Sequence, residues 1–332
     1  MIRRAQMGQY VHDSSLWLCT TCDQCSAYCP RGVDVPQIIR VLRSFVWEGK
    51  KPEKGLPSLL WSVYWNNNPW TQPPSKRSNW IGSVDVPLFD PEQHEIMLYV
   101  GCTSSYDRRA QKIALSLVEI FRASGVRFGY LGEDEPCCGE SVLSIGHLPY
   151  FRDIASNTAK IMYERGVTDF VTISPHCYDV FTNHYPDFDD RISPLHYTQY
   201  LEDLLRDGRL SFTKTVKKRV TFQDPCYLGR HNRIFDAPRK VIKAIPGIDF
   251  VEMADSGLDG LCCGGGGGRM WLETEAGERF SDSRIQQARY TNSDYLVTAC
   301  PFCVVCLEDS AKSISGCDMQ VLDLAEVVAQ TL

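Results

Sequence analysis

The residues best suited to chemistry in this sequence are its cysteines. The chain has 15 cysteines among 332 residues, and most of them stand in tight groups. The count is odd and no signal peptide is recognisable, so a framework of disulfides is not expected. In a reducing compartment, grouped thiols of this kind stay free and serve as metal ligands. The sequence therefore predicts several metal sites built from thiolates.

The first group lies near the N-terminus and ends in a proline. Its members are Cys19, Cys22, Cys25 and Cys29, followed by Pro30. This spacing is the bacterial ferredoxin run, in which three thiolates of one loop reach one 4Fe–4S cluster and the fourth usually serves a neighbouring cluster. Structural zinc sites use separated pairs of cysteines instead. We predict one 4Fe–4S cluster here.

The fourth ligand of that cluster has three candidate sources, because the sequence contains a single run of this type. Cys29 closes the same cluster, a partner chain supplies the missing thiolate, or a second run lies outside this sequence. The spacing does not choose among them.

The remaining groups form an internal repeat. The first copy consists of Cys102, the pair Cys137 and Cys138 before Gly139, and then Cys177. The second copy consists of Cys226, the pair Cys262 and Cys263 before Gly264, and then Cys300 and Cys303. Two matches with such similar lengths are hard to obtain by chance, so they predict two similar halves.

The elements that must position these cysteines alternate between strands and helices. Strands are predicted at 94–100, 127–131, 169–174, 219–223, 249–252 and 294–298. Helices are predicted at 38–46, 110–124, 150–164, 237–245 and 280–290. The repeat cysteines fall just beyond the carboxyl ends of strands, where open α/β sheets place ligands, and the alternation indicates parallel sheets.

These features divide the chain into four parts. Residues 1–60 form a small helical ferredoxin-like segment, 61–94 a linker or an arm lying on a surface, 95–212 the first half and 213–332 the second half. The predicted fold is α/β, with two pseudo-symmetric βα halves that contain parallel sheets. Trp70 and Trp80 would dock the arm onto this protein or onto a partner.

The pattern of cysteines resembles the cysteine-rich CCG domain of heterodisulfide reductases. The runs at 224–232 and 262–271 look like the D-type branch of that family. The run at 19–35 is similar to the second ferredoxin motif of its C-type subunit, so a C-like part precedes a B-like part, as in the fused D-type protein. The resemblance implies a noncubane 4Fe–4S cluster held by Cys226, Cys262, Cys263, Cys300 and Cys303.

Five consecutive glycines, residues 264–268, follow the second cysteine pair. Adjacent cysteines point apart in a regular strand, so Cys262 and Cys263 can both bind one cluster only in an irregular turn, which glycine permits. Backbone N–H groups there could donate hydrogen bonds to sulfur. We expect a close approach of backbone to the cluster; the alternatives are a flexible loop or, less well supported without a following Gly-Lys-Ser/Thr, a phosphate loop.

The first copy departs from the family pattern because Ser174 stands where a cysteine is expected. Four thiols remain at this site, those of Cys102, Cys137, Cys138 and Cys177. They suffice for an ordinary 4Fe–4S cluster, with His176 or Ser174 as a candidate extra ligand. The alternative is a degenerate half that is retained for packing.

Several other residues near the second copy have more than one interpretation. Cations stabilise the reduced forms of thiolate-bound clusters, but they could equally anchor an anionic substrate or partner, or form ordinary salt bridges. The cationic candidates are Arg230, His231, Arg233 and Arg269; His231 could also deliver protons. Cys306 and Cys317 are expected to be buried thiols outside the sites.

Composition argues against two classes of partner. The formal net charge is −6 and no basic stripe is present, so a nucleic-acid partner is not expected. The most apolar stretches, 96–100 and 170–173, are far shorter than the roughly 20 residues of a membrane helix. The expected location is the cytoplasm.

Two functions are compatible with these features. In the first, the chain is an iron–sulfur electron-transfer subunit of a heterodisulfide reductase-like complex, passing electrons from the ferredoxin-like cluster to the second CCG motif beside a flavin- or iron–sulfur-containing partner. In the second, it is a catalytic subunit that itself reduces a disulfide or a quinone-type acceptor. The missing thiol at Ser174 favours the relay, because the resemblance implies two complete sites for disulfide cleavage. No catalytic residue is predicted, and a zinc scaffold is disfavoured.

Overall fold

The protein contains two sheets of four parallel strands each. The computed structural model describes residues 2–8, 14–274 and 277–332. The first sheet consists of β1 (Ile96–Tyr99), β2 (Phe128–Gly129), β3 (Asp169–Thr172) and β4 (Ser193–His196), in the order β2-β1-β3-β4. The second consists of β5 (Lys218–Gln223), β6 (Ile248–Phe250), β7 (Tyr295–Thr298) and β8 (Gln320–Asp323), in the order β6-β5-β7-β8. The matching orders confirm the predicted α/β fold of two βα halves.

The central strands are apolar because helices cover both faces of each sheet. Leu98 in β1, Val171 in β3, Phe222 in β5 and Val297 in β7 are completely buried. Leu98 lies opposite Val171, and Phe222 lies opposite Val297, so the two sheets repeat the same register at their centres. The outer strands β4 and β8 lack an apolar run, and the pattern of apolar residues therefore does not predict them.

Helices connect the strands and cover the sheets. Within the described residues they are α1 (Ile2–Gln6), α2 (Gln24–Ala27), α3 (Val35–Glu48), α4 (Leu56–Asn66), α5 (Gly101–Tyr106), α6 (Gln111–Ala123), α7 (Glu140–Ser144), α8 (Leu148–Glu164), α9 (Pro175–Asn183), α10 (Tyr197–Arg206), α11 (Cys226–Gly229), α12 (Asp236–Ala244), α13 (Phe280–Arg289), α14 (Pro301–Ser313) and α15 (Leu324–Ala329). None of these has both the length and the apolar character that crossing a bilayer requires.

One apolar core joins the two halves. Helix α10 of the first half packs against α12 of the second, and α15 of the second packs against α6 of the first. Leu117, Leu201, Val241 and Val328 come from these four helices, and all are completely buried in one cluster. Each such side chain contributes about 1.5–3 kcal/mol when removed from water. The halves cannot part without exposing this cluster.

The arm packs onto the protein itself. Helix α4 crosses the predicted boundary at residue 60, and the irregular chain after it lies along the first half. Leu88 pairs with Tyr130 beside β2, so the arm covers an edge of the first sheet that would otherwise present unpaired backbone groups. Trp80 packs against Tyr130 with ring centroids 5.8 Å apart, and Trp70 packs against Trp271 at 5.1 Å.

Candidate functional site

The repeat cysteines lie at the carboxyl ends of the central strands in both halves. Cys102 follows β1 in the first turn of α5, and Cys177 follows β3 in the first turn of α9. Cys226 begins α11 after β5, while Cys300 and Cys303 stand at the start of α14 after β7. Carboxyl ends of parallel strands meet at one edge of a sheet, which brings each set of thiols together.

The first site is a compact group of four thiols. The Sγ atoms of Cys138 and Cys177 are 3.3 Å apart, and the N–H of Gly139 donates to Cys137 Sγ at 3.4 Å. A hydrogen bond with Cys137, together with burial, raises the pKa of the Cys102 thiol well above its ordinary value. None of the four is more than 8 % exposed. The structure thus brings together all four predicted thiols of this copy.

The second site repeats this arrangement with one thiol more. The Sγ atoms of Cys263 and Cys303 are 3.2 Å apart, and those of Cys226 and Cys262 are 3.9 Å apart. The N–H of Gly264 donates to Cys262 Sγ at 3.3 Å, as Gly139 does in the first site. Burial would raise the pKa of the fifth thiol, Cys300, but hydrogen bonds with Cys303 and His176 lower it to about 5.

Ser174 occupies the place in the first half that Cys300 occupies in the second. Each residue is the N-cap of the helix after the third strand of its half. The Ser174 hydroxyl accepts a hydrogen bond from the backbone N–H of His176 at 3.3 Å. The replacement therefore removes a thiol and leaves a helix cap.

His176 reaches away from its own site toward the second one. Its ring hydrogen-bonds with Cys300 and stacks between Tyr227, at 4.1 Å, and Phe302, at 4.6 Å. Its Nδ1 atom lies 3.2 Å from Glu140 Oε1, and both side chains are buried. Burial would lower the pKa of His176, but Glu140 and the Cys300 thiol raise it well above its ordinary value. The His176–Glu140 pair thus links the first half to the second site across the boundary between the halves.

The N-terminal run lies directly against the second site. Cys22 packs against the buried cluster that contains Cys226, Cys262 and Cys263. A hydrogen bond with Cys262, followed by burial, raises the pKa of the Cys22 thiol. Burial raises the pKa of Cys19, and the nearby Cys22 and Cys262 thiols add to the shift. Cys25 is near Cys19 and Cys22 but exposed.

Cys29 has different surroundings from the other three thiols of the run. The backbone N–H groups of Val33, Arg31 and Gly32 lower the pKa of its thiol. For the Cys25 thiol, by contrast, burial and then the nearby Cys19 and Cys22 thiols raise the pKa. Cys29 stays a predicted ligand of the cluster at this run.

The glycine loop after Cys263 is where the N-terminal segment rests. A Cβ atom on Gly266 would lie 2.6 Å from Thr20 O, and one on Gly267 would lie 2.5 Å from Cys19 O. On Gly268 it would lie 2.6 Å from Cγ2 of Ile145, in the first half. At Gly266 and Gly267 the close neighbour is therefore the chain's own backbone, and the predicted approach of this loop to a cluster stays a prediction.

Arg43 joins the N-terminal segment, the first half and the glycine loop. Nothing in the sequence marks Arg43 as part of this contact. The side chain is completely buried in α3 and its guanidinium donates to four backbone carbonyls. These belong to Leu16 and Cys19 in the N-terminal segment, Ser144 in the first half and Gly267 in the glycine loop, at 2.6–2.9 Å. Only the folded chain brings these carbonyls together.

Three of the four predicted cationic residues hold the N-terminal segment in place. Arg230 donates from Nε to Cys22 O at 2.6 Å, and His231 Nε2 lies 2.8 Å from Thr21 O. Arg269 donates to Trp17 O at 3.3 Å. Arg233 instead lines an open cleft with His231 and Asp179. Arg230 is 2 % exposed and close to the Cys22, Cys226 and Cys262 thiols. Its partners are therefore backbone carbonyls and thiols, and the alternative of an ordinary surface salt bridge does not apply to it.

The two remaining cysteines are half-buried rather than buried as expected. Cys306 lines an open cleft of about 570 Å³ beside the second site, together with Cys263, Arg269 and Arg279. Cys306 projects toward the glycine loop because its helix, α14, carries it one turn beyond Cys303. Cys317 lies just before β8 and packs at the edge of the buried cluster that contains the second-site thiols.

The arrangement of thiols fits multinuclear iron–sulfur groups. Soft thiolates are the ligands that such groups select, and all fifteen cysteines are free thiols. In residues 2–8, 14–274 and 277–332, no three His, Cys, Asp or Glu side chains close around one point as a single zinc ion needs. The residues that would hold the groups are Cys102, Cys137, Cys138 and Cys177 at the first site, Cys226, Cys262, Cys263, Cys300 and Cys303 at the second, and Cys19, Cys22, Cys25 and the candidate fourth ligand Cys29 at the N-terminal run.

Two repeated α/β units with buried thiols at the ends of their strands define a cysteine-rich iron–sulfur class of protein. The family description "Cysteine-rich domain" (CCG) matches residues 96–182 in the first half and 220–308 in the second. The chain therefore belongs to the CCG cysteine-rich domain family.

Curated relatives extend this assignment along nearly the whole chain. Identity is 34% over 336 residues to "Probable iron-sulfur-binding oxidoreductase FadF" of Bacillus subtilis, covering 98% of this chain and 48% of that protein. It is 33% over 334 residues to "EtfAB:quinone oxidoreductase" of Syntrophomonas wolfei, covering 96% and 46%. It is 31% over 324 residues to the D-type subunit of the dihydromethanophenazine:CoB--CoM heterodisulfide reductase of Methanosarcina barkeri, covering 95% and 77%.

The likeness to the Methanosarcina protein confirms the predicted resemblance to D-type heterodisulfide reductases. The chain spans about half the length of the first two relatives. Their activities are therefore those of longer proteins.

Proposed function

We propose that this chain is an iron–sulfur electron-transfer subunit of a heterodisulfide reductase-like oxidoreductase complex. Electrons would pass from the N-terminal cysteine run to the second CCG site. The proposed cofactors are one ferredoxin-like 4Fe–4S cluster at the run, one noncubane 4Fe–4S cluster at the second site and one ordinary 4Fe–4S cluster at the first. Clusters of this kind supply one-electron chemistry when bound.

The observation that carries this proposal is the packing of Cys22 against the buried cluster that contains Cys226, Cys262 and Cys263. Cys22 belongs to the N-terminal run and the other three belong to the second site, so candidate ligands of two different groups lie next to each other. An electron that moves between groups held by these residues would travel a short path.

The residues around this contact keep the two groups in a fixed relation. Arg43 binds carbonyls on both sides of it, and Arg230 donates to Cys22 O and to Gly260 O, each at 2.6 Å. Both guanidinium groups are buried, where hydrogen bonds are electrostatically stronger than in water. This rigid support is what an electron relay needs and what a hinged domain would lack.

Relatives named as oxidoreductases or as part of a reductase support the general class, and a redox partner that contains flavin or iron–sulfur groups is part of the proposal. The cytoplasmic location stays a prediction.

A second function is favoured by one feature, the open cleft beside Cys263. Its volume is about 570 Å³, and its lining combines two arginines with the carboxylates of Glu273, Glu278 and Asp309, so it would admit a small polar molecule next to the second site. In this alternative the chain itself reduces a disulfide or a quinone-type acceptor.

The two functions are separated by EPR spectroscopy of the anaerobically purified chain. Iron is counted, the protein is reduced stepwise, and low-temperature spectra are recorded with and without disulfides and quinone analogues. The relay predicts iron for three clusters and spectra that do not respond to the acceptors. A signal that requires a disulfide, and that is lost in Cys263→Ser, would support the catalytic alternative. Iron below one cluster per chain, with zinc present, would contradict both.

A further inference from the structure

A buried arginine of the arm contacts the first cysteine site. Arg77 is 2 % exposed, and both of its terminal nitrogens lie 3.7 Å from Cys102 Sγ. It is separated by 25 residues from that cysteine, and nothing in the sequence marks it as part of a site. A guanidinium at this distance donates charge-assisted hydrogen bonds to a thiolate.

A buried carboxylate holds Arg77 in this position. Glu135 Oε1 accepts from Arg77 at 2.8 Å, and the carboxylate also accepts from the backbone N–H groups of Val100, at 2.9 Å, and Gly101, at 2.8 Å. Gly101 directly precedes Cys102, and Glu135 lies two residues before Cys137. The ion pair is therefore built into the two loops that carry the thiols of the first site.

The second half has no equivalent of this pair in the described residues. The position of Glu135 relative to the cysteine pair is taken by Gly260, whose carbonyl accepts from Arg230 instead. The first site thus lacks the thiol that Cys300 supplies, and its arginine is held by a buried carboxylate. Arg230, the buried arginine close to the Cys226 and Cys262 thiols, is held by backbone carbonyls instead.

We propose that Arg77 is a positioning residue of the first site and raises the reduction potential of the cluster held there. The inference rests on the proposed function, since it requires a cluster at Cys102, Cys137, Cys138 and Cys177. One-electron reduction adds a negative charge to the thiolate-bound group, with the electron supplied by an external reductant that is oxidised in turn. A fixed guanidinium in a buried site stabilises the charge of the reduced state more than that of the oxidised state.

Glu135 acts in the opposite direction. Its carboxylate positions Arg77 but places a negative charge beside the same site, which opposes reduction. Loss of the arginine's charge and loss of the carboxylate's charge should therefore shift the potential with opposite signs. A purely structural role of the pair would give shifts of one sign or none.

The test is an EPR-monitored redox titration of the full anaerobic chain and of its variants. The first-site signal is identified as the one lost in Cys102→Ser. In Arg77→Gln, the ratio of reduced to oxidised first site, measured at the wild-type midpoint potential, should fall about tenfold. A loss of this size is the effect of one charge-assisted hydrogen bond. For a one-electron couple it equals a shift of about 59 mV to a more negative potential. Arg77→Lys should stay near the wild type, and Glu135→Gln should shift to a more positive potential.

A matched control is Arg109→Gln. Arg109 is also a largely buried arginine with carboxylate partners, Glu308 and Glu326, and it contacts neither cysteine site. The Arg109→Gln variant should leave the first-site reduction potential unchanged. An unchanged potential in both Arg77→Gln and Glu135→Gln, with the first-site signal present, overturns the inference. Absence of any signal assignable to Cys102 in the wild type would instead contradict the proposed cluster at this site. If Arg77→Gln loses the cluster, the first-site potential of Glu135→Gln becomes the test. A shift to a more positive potential supports the inference, and no shift or a shift to a more negative potential contradicts it.

Discussion

Ser174 and Cys300 show how one residue changes a site without changing the fold around it. Both residues are the N-cap of the helix after the third strand of their half, but only the Ser174 side chain accepts a hydrogen bond from the backbone there. The sequence shows the replacement, but it cannot show that the hydroxyl is already committed to the N–H of His176. Nor could it show that His176 turns toward the opposite site.

Replacing Ser174 with alanine should weaken the helix and leave the first site intact. Loss of an N-cap costs about 1 kcal/mol, and no thiol is removed. We expect lower stability in urea unfolding and unchanged iron content. Ser174→Asn is the matched control, because asparagine also caps helices and should restore the stability. A loss of iron in both variants would show that Ser174 is a ligand.

Cys29 should be dispensable for the cluster of the N-terminal run within this chain. Its thiol interacts with backbone N–H groups of Arg31 and Val33, whereas Cys19, Cys22 and Cys25 interact with one another. We therefore expect Cys29→Ser to retain its iron while Cys22→Ser loses the iron of one cluster. Iron analysis and EPR of the two anaerobic variants provide the comparison. Equal losses would mean that Cys29 closes the same cluster.

At the scale of elements, apolar runs predict the central strands, and the cysteine spacing predicts which loops meet. β4 and β8 escape prediction because polar residues or proline interrupt their apolar pattern: Ser193 and Pro194 begin one, and Gln320 begins the other. The contacts of Arg77 in the arm and of Arg43 in α3 escape as well, because both side chains contact residues distant in sequence. Periodicity carries information about neighbours along a helix or strand, and none about such contacts.

The glycine loop offers a direct test of how the N-terminal segment is held. Gly267 has a positive φ of 62°, and an added Cβ would lie 2.5 Å from Cys19 O. Gly208→Ala is the matched control, because its φ is 70° but nothing lies within 4 Å. Both variants share a backbone cost of about 1–2 kcal/mol. Gly267→Ala should lose a further 1–3 kcal/mol or so through overpacking.

Urea unfolding measures the two costs, and limited proteolysis reports on the segment around Cys19. We expect faster cleavage there in Gly267→Ala only. Equal stability and equal cleavage in the two variants would mean that the segment does not rest on the loop.

At the scale of the whole molecule, the two halves form one folding unit. Their helices pack crosswise, and one apolar cluster contains residues of both. Two copies of a sequence motif therefore do not imply two independent domains here, and the number of repeats alone does not reveal this.

A cavity made in one half should be felt in the other. Leu117 of the first half is completely buried in the shared cluster, so Leu117→Ala should cost about 2–5 kcal/mol. We expect a single unfolding transition and lower hydrogen-exchange protection in both β1 and β5. Leu88→Ala, at a side chain that is 63 % exposed, is the control and should change neither. Loss of protection confined to β1 would show that the halves unfold separately.

The support of the N-terminal run by the glycine loop also orders events during synthesis. Arg43 and its carbonyl partner Gly267 are 224 residues apart. A ribosome that adds about 5–20 residues per second needs roughly 10–45 s to cover that distance. During this interval Cys19, Cys22 and Cys25 have left the ribosome but lack the loop against which they rest. The first thiols to be made are therefore among the last to be enclosed, and we expect the cluster-assembly machinery to load them after the second site has folded.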